Sequence, residues 1–175
     1  HDLCYIALSG ALAAMGAPDR PPLPPLNLVG DYGGGGLFAA FGIAAALVHA
    51  QRTGQGQGVG SAMVDGAASQ MAPSYSLVQK GSWALDRGTN LLDGAAPFYR
   101  CYECADGGYI AAGPIEPQFF RVFMKGLGLN PSDWDQTDRA RWPAMAAAIA
   151  AVVATQPRDH WAGVFAGTDA CVAPV

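Results

Sequence analysis

Between Pro25 and Leu37 the sequence reads Pro-Leu-Asn-Leu-Val-Gly-Asp-Tyr-Gly-Gly-Gly-Gly-Leu, and an apolar run follows directly. Four glycines between Tyr32 and Leu37 predict a turn that opens a helix from Leu37 to about Gln51. Upstream, the segment from Ala17 to Pro25 contains five prolines, which exclude regular helix and predict a fixed extended loop. The order loop, Gly-rich turn and helix therefore organises this half of the chain.

The apolar run from Leu37 to Ala50 is 14 residues long. A helix that crosses a bilayer needs about 20 residues, so we predict a buried helix and no membrane association. The net charge is −4 and the sequence has no basic run, which argues against a nucleic-acid partner.

Further along, the pattern changes from helical to mixed. A long helix is predicted from about Val64 to Lys80, and the polar stretch 83–96 is typical of a linker. Two short β-like runs flank the turn at Ala105-Asp-Gly-Gly108 and predict a hairpin. Helices are then predicted from Pro117, from Trp142 to Thr155, and from Arg158. We divide the chain into 1–62, 63–95 with the long helix and linker, and a small α+β unit at 96–175.

The four cysteines predict neither a disulfide framework nor a metal site. Cys101 and Cys104 have the spacing of a zinc ligand pair, but no second pair or suitably spaced histidines accompany them. We therefore expect reduced thiols and no bound metal.

Three polar positions in apolar surroundings are candidates for chemistry: His1-Asp2, Asp31 and Glu116. Asp31 precedes a Gly run, where backbone N–H groups at a helix start are able to stabilise negative charge. Spacing alone favours a helix cap at Asp31 and a first-turn acid at Glu116. His1 is uninformative by itself.

Several motifs, in order, resemble those of the α-methylacyl-CoA racemases, a group within the family III CoA-transferases. They are His1-Asp-Leu-Cys-Tyr5, Pro25-Leu-Asn-Leu-Val-Gly-Asp-Tyr-Gly-Gly-Gly35, Met63-Val-Asp-Gly66, Gly88-Thr-Asn-Leu-Leu-Asp-Gly94, Gly113-Pro-Ile-Glu-Pro-Gln-Phe119 and Asp169-Ala-Cys-Val-Ala-Pro174. Each motif is modest, but their order and spacing are specific and cover essentially the whole chain.

The resemblance implies an α/β fold: the helical remainder of the family's large CoA-binding domain, a linker, and a truncated small α+β domain. We expect the chain to be the central and C-terminal part of a longer enzyme. The nucleotide-type fold and most basic CoA-binding residues would then lie upstream, and the chain alone would lack full activity. The family also implies an interlocked homodimer.

The resemblance also implies site residues. His1 and Glu116 correspond to one acid/base pair, and Asp31 to the opposing acid/base. Asn27, Tyr99 and Ile115 correspond to positions that line the substrate site, as do Gly33 and Gly34 after Asp31, while Asp2 and Tyr5 correspond to supporting positions. Departures from the family pattern include Cys4, where relatives often carry Asn, and Gly60, where Asp is frequent.

The implied activity is racemisation of 2-methylacyl-CoA thioesters in lipid and fatty-acid metabolism. One base removes the α-proton, an enolate forms, and an acid returns a proton to the other face. No cofactor is expected, because CoA is part of the acyl-CoA substrate. The alternative is CoA transfer through an aspartyl-CoA thioester at Asp31, which needs neither His1 nor Glu116. A non-enzymatic assembly role is a third possibility, and the Ala- and Gly-rich composition is compatible with a cytoplasmic protein.

Overall fold

The computed structural model describes all 175 residues and divides them into two compact units, His1–Gly88 and Thr89–Val175. The division into 1–62, 63–95 and 96–175 remains a prediction. The segment predicted as one long helix lies in the first unit, whereas the end of the predicted linker lies in the second.

The first unit is helical. It comprises α1 (Asp2–Leu8), a short 3₁₀ turn, a π-helix (Leu28–Leu37), α2 (Phe38–Thr53), α3 (Met63–Gln70) and α4 (Ala72–Gln79). As predicted, the proline segment is irregular. The segment after α2 begins at the left-handed Gly54 and is exposed and irregular.

The sequence predicted a turn at the four glycines before Leu37. The structure instead has a π-helix there, which continues into α2. Its glycines allow close backbone contact with α3: a Cβ on Gly34 would lie 2.8 Å from the Ala67 nitrogen, and a Cβ on Gly66 would overlap the Gly34 carbonyl. Contact at this distance excludes any side chain, which explains why both positions are glycine.

The prediction that α2 is buried is wrong within this chain, because α2 contains no buried residue. The π-helix and α2 together form one helical stretch of 26 residues, Leu28–Thr53, with a mean hydropathy of 1.5. The helical stretch is therefore longer than the 14-residue apolar run from which its length was predicted. Length and composition alone would allow this helix to cross a membrane, a criterion that core helices and signal sequences also meet.

The predicted single helix from Val64 to Lys80 is two helices. Met71 separates α3 from α4, and Pro73 lies in the first turn of α4. Proline fits that position because its missing N–H would have no partner there, but it could not stand in the interior of one continuous helix.

The second unit is α+β. Strands β1 (Arg100–Glu103), β2 (Tyr109–Ala112) and β3 (Val172–Pro174) form an antiparallel sheet in the order β1-β2-β3. Helices α5 (Pro117–Gly126), α6 (Trp142–Val153) and α7 (Arg158–Phe165) complete the unit. The hairpin and the three helix starts are confirmed, whereas β3 was not predicted.

One face of this sheet packs on the helices. Tyr102 and Ile110 are opposite each other in the register and both are buried. Phe98 contacts Phe120 and Trp142 edge-on, with ring centroids 5.8 and 5.6 Å apart. The core also includes Phe123, Met124, Met145, Ile149, Val153, Trp161 and Phe165. Burial raises the pKa of the Tyr102 phenol, whose hydroxyl donates a hydrogen bond to the Pro97 carbonyl at 2.5 Å.

Candidate active-site elements

The first unit brings the predicted residues His1, Asp2 and Asp31 into one region. His1 is exposed at the start of α1, and its ring stacks on that of Tyr5 with centroids 6.4 Å apart. One turn of α1 thus carries the imidazole, the Asp2 carboxylate and the half-buried Tyr5 ring.

Asp2 connects α1 to the π-helix. Its side chain is 8% exposed, and the Asp31 backbone N–H donates a hydrogen bond to Asp2 Oδ2 with an N–O distance of 2.6 Å. Oδ1 of the same carboxylate is buried and has no hydrogen-bond partner. The contact joins residues that are 29 positions apart and fixes the backbone from which the Asp31 side chain projects.

Gly30 allows this contact. A Cβ at position 30 would lie 2.8 Å from Asp2 Cγ and 3.2 Å from a methyl group of Ile6, and it would overlap Asp2 Oδ2. Gly30 is buried, so the carboxylate occupies the space that a side chain would fill. A substitution at position 30 would therefore displace Asp2.

Two side chains hold the π-helix from its other sides. Gln70 Nε2 donates to the Val29 carbonyl at 3.1 Å, and Ser61 Oγ donates to the Gly35 carbonyl at 2.9 Å. Together with Asp2, these contacts fix the helix at positions before, at and after Asp31.

The Asp31 side chain is exposed, and Asn27 Nδ2 donates to its Oδ2 at 3.4 Å. Asp31 is in the π-helix and Asn27 is the preceding cap residue, so Asp31 is not the cap that spacing alone favoured. The N–H groups of the Gly run lie within a π-helix, where they bond to carbonyls five residues back. They are therefore not the free oxyanion donors that the sequence suggested. Gly33 is half-buried, and the burial of Gly34 argues against direct substrate contact there.

In the second unit, Glu116 is exposed at the cap position of α5 and makes no side-chain capping bond. A carboxylate beside a helix start interacts favourably with the helix dipole without a capping bond, so the structural role that spacing favoured for Glu116 stays a prediction. Ile115 is half-buried, and its carbonyl accepts a hydrogen bond from Gln136 Nε2 at 3.0 Å.

Tyr99, 37% exposed, lines an open groove of about 650 Å³ on the face of the sheet opposite the core. Cys101, Ala111 and Ala173 form the floor as one row across the three strands. These small, mostly apolar side chains make the floor of the groove apolar. Gly113 and Cys171 lie at one end of the groove.

Cys171 adopts a left-handed backbone conformation, with φ of 51°, which is uncommon for a residue with a side chain. Burial raises the pKa of its thiol, and the negative charges of Glu116 and Asp169 raise it further. All four cysteines are free thiols, as predicted.

Comparison with known proteins defines the family. The family model described as CoA-transferase family III matches residues 1–175, so this chain belongs to CoA-transferase family III.

Among curated relatives, alpha-methylacyl-CoA racemase from Mus musculus is 46% identical and covers 100% of this chain and 46% of its own length. The Homo sapiens protein of the same name is 44% identical with the same coverage. The chain therefore spans about half the length of these relatives. A crystal structure of a CAIB/BAIF family protein from Brucella suis has a TM-score of 0.70 at 23% identity, covering 100% of this chain and 47% of that one, which shows the shared fold.

The sequence pointed to Asp31 as a candidate but not to three residues that hold its backbone in place. Gly30, Gln70 and Ser61 act through backbone contacts, and single glycines, glutamines and serines carry no spacing signal. The glycine pair Gly34 and Gly66 was visible in the motifs, but only the fold shows that the two backbones meet.

Proposed function

We propose that the protein containing this chain racemises 2-methylacyl-CoA thioesters. The observation that carries the proposal is 46% identity over the whole chain to a curated alpha-methylacyl-CoA racemase. The exposed Asp31 carboxylate on an anchored backbone supports it, because a proton-transfer group must be held at a fixed position.

In the proposed reaction Asp31 acts on one face of the α-carbon and the pair His1 and Glu116 acts on the other. One of them accepts the α-proton, and the electron pair of the broken C–H bond moves onto the thioester oxygen as an enolate. The opposing group then donates a proton to the α-carbon, which inverts it and consumes no co-reactant. Asn27, whose amide contacts Asp31, would hold that carboxylate in its orientation.

CoA transfer is the second candidate, favoured by the family description and by the accessibility of Asp31 as a nucleophile. In that reaction the Asp31 carboxylate would attack the acyl-CoA carbonyl, forming a mixed anhydride and releasing the CoA thiolate. The thiolate would then attack the Asp31 carbonyl, which releases the substrate carboxylate and leaves an aspartyl-CoA thioester. Glu116 and His1 would then have no chemical task.

One experiment separates the two. The full-length protein is incubated with one enantiomer of a 2-methylacyl-CoA in D₂O, and the recovered thioester is analysed by chiral separation and mass spectrometry. Racemisation with uptake of one α-deuterium supports proton transfer. Trapping of Asp31 by hydroxylamine, without racemisation or exchange, would establish CoA transfer instead.

Homodimer formation, a cytoplasmic location, a role in fatty-acid metabolism and independence of any separate cofactor belong to the same proposal. The large apolar side chains exposed on α2 support a covered surface, since isolated soluble proteins rarely expose such areas. Sedimentation analysis of the full-length protein tests the dimer, and a monomer at micromolar concentration would contradict it.

A further inference from the structure

The unusual feature of Asp2 is that its burial is not explained by stability. One carboxylate oxygen accepts the Asp31 N–H, but the other is buried without a partner. Leaving a buried polar atom unpaired costs free energy, and more so for a charged group. A single acceptor for one N–H does not require a carboxylate with a second, unpaired oxygen.

The residues around Asp2 favour its hydrogen bond with the Asp31 N–H. Gly30 lacks the side chain that would displace the carboxylate, and Ile6 closes the remaining space. Gln70 and Ser61 hold the π-helix on either side of Asp31, so the Asp2 contact adds one defined constraint at Asp31. The first turn of a helix has N–H groups without intrahelical partners, which allows such an external acceptor.

We propose that Asp2 is a positioning residue for Asp31: its carboxylate, admitted by Gly30, holds the Asp31 backbone so that the Asp31 side chain reaches one face of the substrate. This inference rests on the proposed racemisation. Asp2 does not transfer a proton in it, and its effect passes entirely through Asp31.

A positioning role predicts damage on one face of the α-carbon only. A displaced Asp31 no longer exchanges the α-proton of the enantiomer whose α-hydrogen faces it. The opposing pair still exchanges the α-proton of the other enantiomer. A displacement of about 1 Å is able to lower the rate by about 100-fold. A general loss of folding would lower both exchanges equally.

The test measures α-deuterium uptake from D₂O separately for each pure enantiomer of a 2-methylacyl-CoA, using the full-length protein. Asp2→Ala removes the acceptor and Gly30→Ala displaces it without changing an ionisable group. Each is expected to reduce exchange of one enantiomer, the same one in both variants, by about 10- to 100-fold while the other changes by less than about threefold. Asp2→Asn keeps an acceptor oxygen and is expected to restore most of the lost exchange.

Gly36→Ala is the matched control in the same π-helix, because a Cβ there would meet only the Asp31 carbonyl at 3.4 Å. It is expected to leave both exchanges near the wild-type rate. Equal losses for both enantiomers in folded Asp2→Ala and Gly30→Ala proteins, or no loss, would overturn the positioning role. Absence of any exchange in the wild-type protein would instead refute the proposed racemisation.

Discussion

The two units of this chain reach a folded state by different means. The second unit has a continuous core of 17 buried residues, including several aromatic side chains. The first has a core of only Ile6, Ala11 and Ala67, and many of its large apolar side chains are exposed. Its order depends on backbone contacts between glycines and on three hydrogen bonds: the Asp2 carboxylate accepts one, and the Gln70 and Ser61 side chains each donate one.

This difference matters for the chemistry. The close approach of Gly34 to α3 and the hydrogen bond from the Asp31 N–H to Asp2 leave the backbone around Asp31 little freedom to shift. Asp31 lies in the unit whose order comes from backbone contacts and polar anchors. A proton-transfer group benefits from such placement more than from a large core, since its efficiency depends on geometry.

The largest effect is expected in the core of the second unit. Phe123 is fully buried, so Phe123→Ala should lower the free energy of unfolding by about 3–5 kcal/mol. Phe41 on α2 is 78% exposed in this chain, and Phe41→Ala should change the free energy of unfolding by less than about 0.5 kcal/mol. Urea unfolding of the 175-residue chain, followed by tryptophan fluorescence, measures both. Similar losses for the two variants would contradict the contrast between the units.

A smaller effect tests the backbone contact in the first unit. In Gly66→Ala the new Cβ would overlap the Gly34 carbonyl, and the required shift should cost about 1–3 kcal/mol. Gly163 in α7 has no atom within 4 Å of such a Cβ, so Gly163→Ala should stabilise by about 0.5–1 kcal/mol. Thermal unfolding followed by circular dichroism measures both changes in stability, which should have opposite signs. Stabilisation by both substitutions would refute the close contact.

The smallest effect concerns a polar link in the second unit. Desolvation raises the pKa of Asp106, but hydrogen bonds from the backbone N–H groups of Arg158 and Gly108, together with the Arg158 charge, lower it more. The net lowering means that ionised Asp106 stabilises the fold above its unfolded pKa of about 3.9. This contribution is lost as the pH falls through the lower folded value.

Asp106→Asn should therefore weaken the pH dependence of the unfolding free energy below about pH 4. Denaturant titrations at pH 2.5, 4 and 7 check the slope. Asp159→Asn is the control, because Asp159 accepts hydrogen bonds only from the Arg158 side chain. An unchanged acid slope in Asp106→Asn would show that this link does not contribute.

The sequence predicted elements whose signals are local. The turn at Ala105–Gly108 predicted the hairpin, and proline at 117 predicted the start of α5. Long-range features escaped it: the π-helix requires the α3 backbone against Gly34, and β3 requires β2 as a partner. The break at Met71 was missed because apolar spacing continued across it, although Pro73 was a visible signal.

The candidate residues show the same division. The motif resemblance implied chemical roles for His1, Asp31 and Glu116, whereas spacing alone favoured structural roles for Asp31 and Glu116. The structure removes one of those alternatives, because Asp31 lies within a helix and does not cap it. Glu116 is the cap residue of α5, and its interaction with the helix dipole stays a prediction. The contact between Asp2 and Asp31 could not be predicted, since it joins segments separated by a proline-rich loop without any periodic signal.

The most direct test is a crystal structure of the full-length protein with a bound 2-methylacyl-CoA. We expect a carboxylate oxygen of Asp31 within about 3.5 Å of the substrate α-carbon, while the Asp31 N–H still donates to Asp2. An Asp31 carboxylate turned away from an ordered acyl group, with its backbone released from Asp2, would contradict the account.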